Sequence, residues 1–153
     1  MRVGRSMSNK KPQPRNELLL PTNGGAVELP LAESRVPAGF PSPADDYIAR
    51  RLDLNEHLIR HPAATFFVRV AGDSMTGAGI NDGDILVVDR SLEPADGKVV
   101  IAVVDGELVV KRLRRRGDDW LLLAENDGYP PITAGEDGEF EVWGVVTSVI
   151  HSL

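Results

Sequence analysis

The 153-residue chain contains no cysteine, which excludes a disulfide scaffold, a thiolate nucleophile and a cysteine-ligated zinc or iron–sulfur site. Long apolar runs are missing too. The longest, Val99 to Val104, is far shorter than the roughly 20 residues a membrane-spanning helix needs. Residues 1–16 are polar and basic, without the apolar stretch of a secretory leader, so a cytoplasmic protein without membrane attachment is expected. Aromatic residues are scarce, with 2 Trp, 2 Tyr and 4 Phe, so any core must rest on Val, Ile and Leu. Bases are scarce as well. There are three histidines (His57, His61, His151) and four lysines (Lys10, Lys11, Lys98, Lys111).

What is present suits one soluble domain of ordinary size, with 42% hydrophobic and 26% charged residues. The net charge of −6 is spread unevenly. Residues 1–38 carry six Lys/Arg and three Glu, a net of +3, whereas residues 39–153 carry eleven basic and twenty acidic side chains, a net of −9. An acidic body repels a phosphate backbone, so direct sequence-specific DNA binding is not expected. Residues 1–38 also contain Pro12, Pro14, Pro21, Pro30 and Pro37 with few large apolar groups. Such a segment reads as an extended or disordered arm and leaves no room for a helix-turn-helix.

Beyond the arm, Ser42-Pro43 with Asp45 and Asp46 predicts a helix start, with Tyr47, Ile48 and Leu52 on the apolar side. Asp53-Leu54-Asn55-Glu56 forms a capping box that predicts a second short helix, stopped by Pro62. From Thr65 the texture changes to β-branched and aromatic runs at Phe66–Val70, Ile85–Val88, Val99–Val104, Leu108–Leu113, Trp120–Leu123 and Phe140–Ile150. Turn signals such as Asp82-Gly83, Asp96-Gly97, Asp105-Gly106 and Gly117-Asp118 separate them. A mainly β fold follows: a compact antiparallel domain with one or two short N-terminal helices, preceded by the arm.

Ser74, in Gly72-Asp73-Ser74-Met75, lies between two strands in a turn that glycine allows to be tight. Its residue type fits a nucleophile and an ordinary turn residue alike. His57 and His61 stand four apart, a spacing that can serve a metal, but no third ligand lies near and no metal is expected. Lys98 follows a turn and should be solvated. Lys111 shares a strand face with Val109 and Leu113, where lost hydration lowers a lysine's pKa. It fits both a buried general base and a lysine snorkelling from an edge strand. The basic cluster Arg112 and Arg114–Arg116 reads as a solvated hairpin tip or as a contact for nucleic acid or an acidic partner. Gly77-Ala78-Gly79 lacks the lysine of a phosphate loop.

In order and spacing, several segments resemble the UmuD-like group of the LexA-type self-cleaving serine peptidases. They are Val36-Pro37-Ala38-Gly39-Phe40-Pro41, Asp53-Leu54-Asn55, Gly72-Asp73-Ser74-Met75, Asp82-Gly83-Asp84, Val104-Asp105-Gly106-Glu107, Lys111 and Val142-Trp143-Gly144-Val145-Val146. The resemblance runs from about Val36 to the C-terminus. It implies a Ser–Lys peptidase domain over 39–153, with Ser74 as nucleophile and Lys111 as general base. Residues 1–38 would then be a flexible arm removed by cleavage between Ala38 and Gly39. Backbone N–H groups of Ser74 and Met75 are the candidates to hold the oxyanion. No cofactor is implied. The implied partners are a second copy of the chain in a homodimer, a RecA–single-stranded-DNA filament that stimulates cutting in the SOS response to DNA damage, and a UmuC-type subunit of an error-prone translesion polymerase. A LexA-like repressor remnant without a DNA-binding domain and a non-catalytic polymerase accessory subunit are the alternatives.

Overall fold

A computed structural model describes residues 18–19, 24–32, 35–36, 38–39 and 48–153. The chain divides into two units, residues 22–60 and residues 1–21 with 61–153. Among the described residues no helix is long and apolar enough to cross a membrane.

In the smaller unit, strand β2 (Glu28–Ala32) pairs antiparallel with β3 (Ile48–Asp53). Glu28–Ala32, within the segment expected to be an arm, is therefore a paired strand, while Ala38 and Gly39 lie in a bend. The helix expected to carry Ile48 and Leu52 is not found there: those residues belong to β3. Its expected start at Ser42-Pro43 lies outside the described residues. The physical reason is nucleation. A short helix fixes several residues for its first hydrogen bond, whereas the Glu28–Ala32 strand offers a ready ladder. Arg51 strengthens the pairing by donating Nη2 to the Glu28 carbonyl at 2.9 Å. Directly after β3, the expected cap forms. Asp53 Oδ1 accepts the Asn55 N–H at 2.9 Å and opens helix α1 (Leu54–Leu58). The helix ends before Pro62, which instead starts one turn of 3-10 helix at Pro62–Ala64.

The larger unit is an eight-stranded antiparallel sheet. Its strands are β1 (Leu18–Leu19), β4 (Thr65–Arg69), β5 (Ile85–Asp89), β6 (Val99–Val104), β7 (Glu107–Arg116), β8 (Asp119–Leu123), β9 (Ile132–Thr133) and β10 (Phe140–Ile150). The spatial order is β1-β4-β5-β10-β6-β7-β8-β9. Six of these strands lie where alternation and turn residues predict them. The β6–β7 hairpin turns through Asp105 (φ 50°) and Gly106 (φ 78°), the left-handed pair that a two-residue hairpin demands.

Both faces of the sheet are covered, because successive residues of β6 feed different cores. Ile101 joins Val68, Val70, Met75, Ile80, Leu86 and Val88, while Val100 and Ala102 join Leu113, Leu122 and Val145. Each fully buried aliphatic side chain contributes about 1.5–3 kcal/mol. Bulges in β10, between Val142 and Gly144 and between Val146 and Ser148, bend the strand that joins β5 to β6. Gly144 has no room for a side chain: a Cβ there would lie 2.6 Å from Val88 Cγ1.

Candidate active site

The chain leaves β4 into a turn held from several sides. Val70 donates its N–H to the Asp84 carbonyl and accepts from Gly83 N–H, each at 2.8 Å. The Gly72 N–H donates to Asp82 Oδ1 at 2.8 Å, with Gly72 at φ 94°, a conformation that suits glycine. Met75 then drops its side chain, 1% exposed, into the core among Val70, Leu86 and Ile101. That plug, followed by the 3-10 turn Thr76–Ala78, fixes the orientation of Ser74 immediately before it.

Lys111 stands in β7 one residue short of where β8 ends, since the β7–β8 ladder stops at Arg112 opposite Leu123. Beyond that point the chain of β8 crosses to the Ser74 turn. Glu125 N–H donates to the Ser74 carbonyl at 2.8 Å, and Gly77 N–H donates to the Glu125 carbonyl at 2.7 Å. Asn126 Nδ2 donates to the Asp73 carbonyl at 3.0 Å, and the Tyr129 hydroxyl donates to the Asp73 carboxylate. The result brings two residues 37 positions apart into contact: Lys111 Nζ donates to Ser74 Oγ at 2.9 Å.

Burial pushes the Lys111 ammonium below the ordinary lysine range, because the charged form loses hydration. The Tyr129 ring lies 5.3 Å from Nζ and forms part of the wall beside it. The hydrogen bond to the Asp73 carboxylate raises the Tyr129 phenol, so it stays a donor. Ser74 and Lys111 open into a cleft of about 210 Å³, lined by Val68, Val70, Leu86, Ile101 and Val109 among others. Among the described residues the Ser74 and Met75 N–H groups have no acceptor within the chain; Ser74 lines the cleft, whereas Met75 is almost fully buried. A neutral amine at hydrogen-bond distance from a hydroxyl, in a largely apolar cleft, can generate an alkoxide-like nucleophile for attack on a carbonyl.

Other candidates go elsewhere. Ala38 and Gly39 belong to the smaller unit, where both are exposed in a bend. The His57–His61 spacing never becomes a helical face, because α1 stops at Leu58. His61 Nδ1 instead meets Asp89 Oδ2 at 2.6 Å, and His151 Nδ1 meets Asp84 Oδ1 at 2.5 Å. Lys98 is exposed. Of the basic cluster, Arg114–Arg116 are exposed, with Arg115 over the Trp120 ring, while Arg112 turns inward to Glu125. Sequence reasoning missed Glu125, Asn126, Tyr129 and Gly77. Two of them left a trace: Asn126 in the turn signal Asn126-Asp127-Gly128, and Gly77 in the Gly77-Ala78-Gly79 run set aside as a phosphate loop.

A family model described as Peptidase S24-like matches residues 30–147. Protein SamA of Salmonella typhimurium is 50% identical over 122 residues, covering 80% of this chain and 84% of SamA. Protein ImpA of Escherichia coli is 44% identical over 139 residues, covering 86% of this chain and 89% of ImpA. The LexA repressor of Colwellia psychrerythraea is 39% identical over 128 residues, covering 83% of this chain and 60% of the repressor.

Proposed function

This chain belongs to the peptidase S24-like family, and on that footing we propose that it cuts its own backbone between Ala38 and Gly39 with Ser74 and Lys111. The observation that carries the reading is the 2.9 Å contact between Lys111 Nζ and Ser74 Oγ at the mouth of an apolar cleft. Neutral Lys111 takes the Ser74 proton as Oγ attacks the Ala38 carbonyl, and the N–H groups of Ser74 and Met75 hold the oxyanion. Lys111 then gives that proton to the departing Gly39 amine, and water releases the acyl group. The exposed, small residues Ala38 and Gly39 suit a small cleft. Because the substrate is tethered, its effective concentration is high without a tight binding pocket.

The biological role we infer is that of an SOS mutagenesis protein in the cytoplasm. The cut form, as a homodimer, serves a UmuC-type translesion polymerase subunit, and a RecA–single-stranded-DNA filament triggers the cut. The acidic body supports sensing DNA through a partner that already coats it. If the cutting-competent conformer is populated at about one per cent, a filament preferring it accelerates cutting up to roughly a hundredfold. The similarity to LexA favours one rival, a repressor-type switch, which would not bind a polymerase subunit. A gel time course with and without RecA, nucleotide and single-stranded DNA tests the role. Slow cutting alone and fast cutting with the filament are expected, with Ser74→Ala inert in both. Equal rates in the two lanes would remove the damage-signalling reading.

A further inference from the structure

Arg112 follows Lys111 in β7, so the two side chains leave the strand in opposite directions. Its guanidinium grips the Glu125 carboxylate through Nε and donates Nη1 to the Gly97 carbonyl at 2.7 Å. The pair is partly withdrawn from water, with side-chain exposures of 24% and 33%. A charge-assisted contact whose guanidinium also reaches a second, backbone acceptor has a more defined geometry than an ordinary surface ion pair. Glu125 in turn holds the Ser74 turn twice through its backbone, at the Ser74 carbonyl and at the Gly77 N–H. Between Leu123 and Ile132 no strand pairing fixes this stretch to β7. A continuous path therefore runs from the strand of Lys111, through Arg112 and Glu125, to the backbone of Ser74.

We propose that Arg112 is a positioning residue: its ion pair with Glu125 sets the separation of the Ser74 hydroxyl and the Lys111 amine. This rests on the reading of those two residues as nucleophile and base. A displacement of about 1 Å between reacting groups can cost on the order of a hundredfold in rate. The Arg112–Glu125 pair is the only side-chain ion pair among the described residues that joins β7 to the segment following β8.

The test uses the full-length protein with Arg112→Ala, Glu125→Gln and Arg112→Lys, each followed by self-cleavage across pH, labelling of Ser74 by a fluorophosphonate, and thermal melting. Arg112→Ala and Glu125→Gln are expected to lower the alkaline plateau and the labelling rate by about ten- to a hundredfold. The midpoint of the pH profile stays in place, because the burial of Lys111 is untouched, and melting shifts by only a few degrees. Arg112→Lys, which keeps a cation for Glu125, recovers part of the loss. Wild-type plateaus in Arg112→Ala and Glu125→Gln would overturn the proposal. So would an Arg112→Lys rate no better than that of Arg112→Ala, or a rate loss that simply follows unfolding. A Ser74→Ala protein that still cuts would instead bring down the peptidase reading. An inert Ser74→Ala beside an unaffected Arg112→Ala would bring down the brace alone.

Discussion

Gly77→Ala adds one methyl group where the structure leaves no space for it. A Cβ built on Gly77 lies 2.6 Å from the Glu125 carbonyl oxygen and 3.3 Å from the Glu125 carbonyl carbon. Both atoms are backbone, so neither can rotate away, and the carbonyl must withdraw by the better part of an ångström. Gly77 has no left-handed backbone, so alanine meets a steric objection alone. The movement strains the 2.7 Å bond from Gly77 N–H to Glu125 and pulls on the Ser74 carbonyl that the same residue holds at 2.8 Å. Overpacking of this kind costs about 1–3 kcal/mol of stability. Its larger effect falls on chemistry, where a shift of that size lowers the rate by about ten- to a hundredfold. The assay is a self-cleavage time course at alkaline pH beside a thermal melt, with Gly79→Ala as a comparison. Gly79 has open space but a φ of 77°, so its substitution costs stability through backbone strain with no clash at Glu125. Gly77→Ala cutting at the wild-type rate would refute the claim that the Glu125 backbone seats Ser74.

Two further predictions concern pH. Lys111 has a folded pKa below its unfolded value, so self-cleavage rises with pH as the folded amine loses its proton. Between the folded pKa and about 10.5 the unfolded chain binds the extra proton, so this residue's penalty on folding fades as pH rises through that window. Lys111→Met, apolar and of similar length, is therefore inert yet melts higher than wild type at neutral pH; a lower melting temperature would contradict the burial argument. Asp84 and Asp89 are buried, which raises a carboxyl, but hydrogen bonds outweigh it. Asn81 N–H and His151 hold Asp84 below 3.8, and Ser91 and His61 do the same for Asp89. Their stabilisation is present above the unfolded value of 3.8 and is lost as pH falls below it through the folded values. Melting temperatures recorded from mildly acidic pH downward should fall in wild type and flatten in Asp84→Asn and Asp89→Asn. A flat wild-type curve would refute the assignment.

The strands from Thr65 onward were legible because two physical signals agree there. Val99–Val104 combines β-branched density with Asp105-Gly106 at its end, and Phe140–Ile150 is bounded by loop residues at its start. At Ile48–Leu52 the signals conflicted. The local cap preference of Ser42-Pro43 pointed to a helix, while the deciding partner, Glu28–Ala32, lies some twenty residues away in sequence and contains Pro30. No local pattern announces that pairing. Ile132–Thr133 is too short for alternation to register. At the site, Ser74 and Lys111 were each ambiguous from the residues alone, and the family resemblance singled them out. The structure adds their 2.9 Å contact. Arg112 was hidden inside a run of four basic residues in five, and only the end of the β7–β8 ladder separates its inward course from that of its neighbours.

Everything proposed for this chain depends on Ser74 cutting the bond between Ala38 and Gly39. Intact-mass spectrometry of the purified protein, after long incubation at mildly alkaline pH, tests it most directly when wild type and Ser74→Ala are run side by side. A species spanning residues 39–153, with its 1–38 counterpart, is expected in wild type alone. A dominant fragment beginning at another residue, or the same fragment arising from Ser74→Ala, would contradict it.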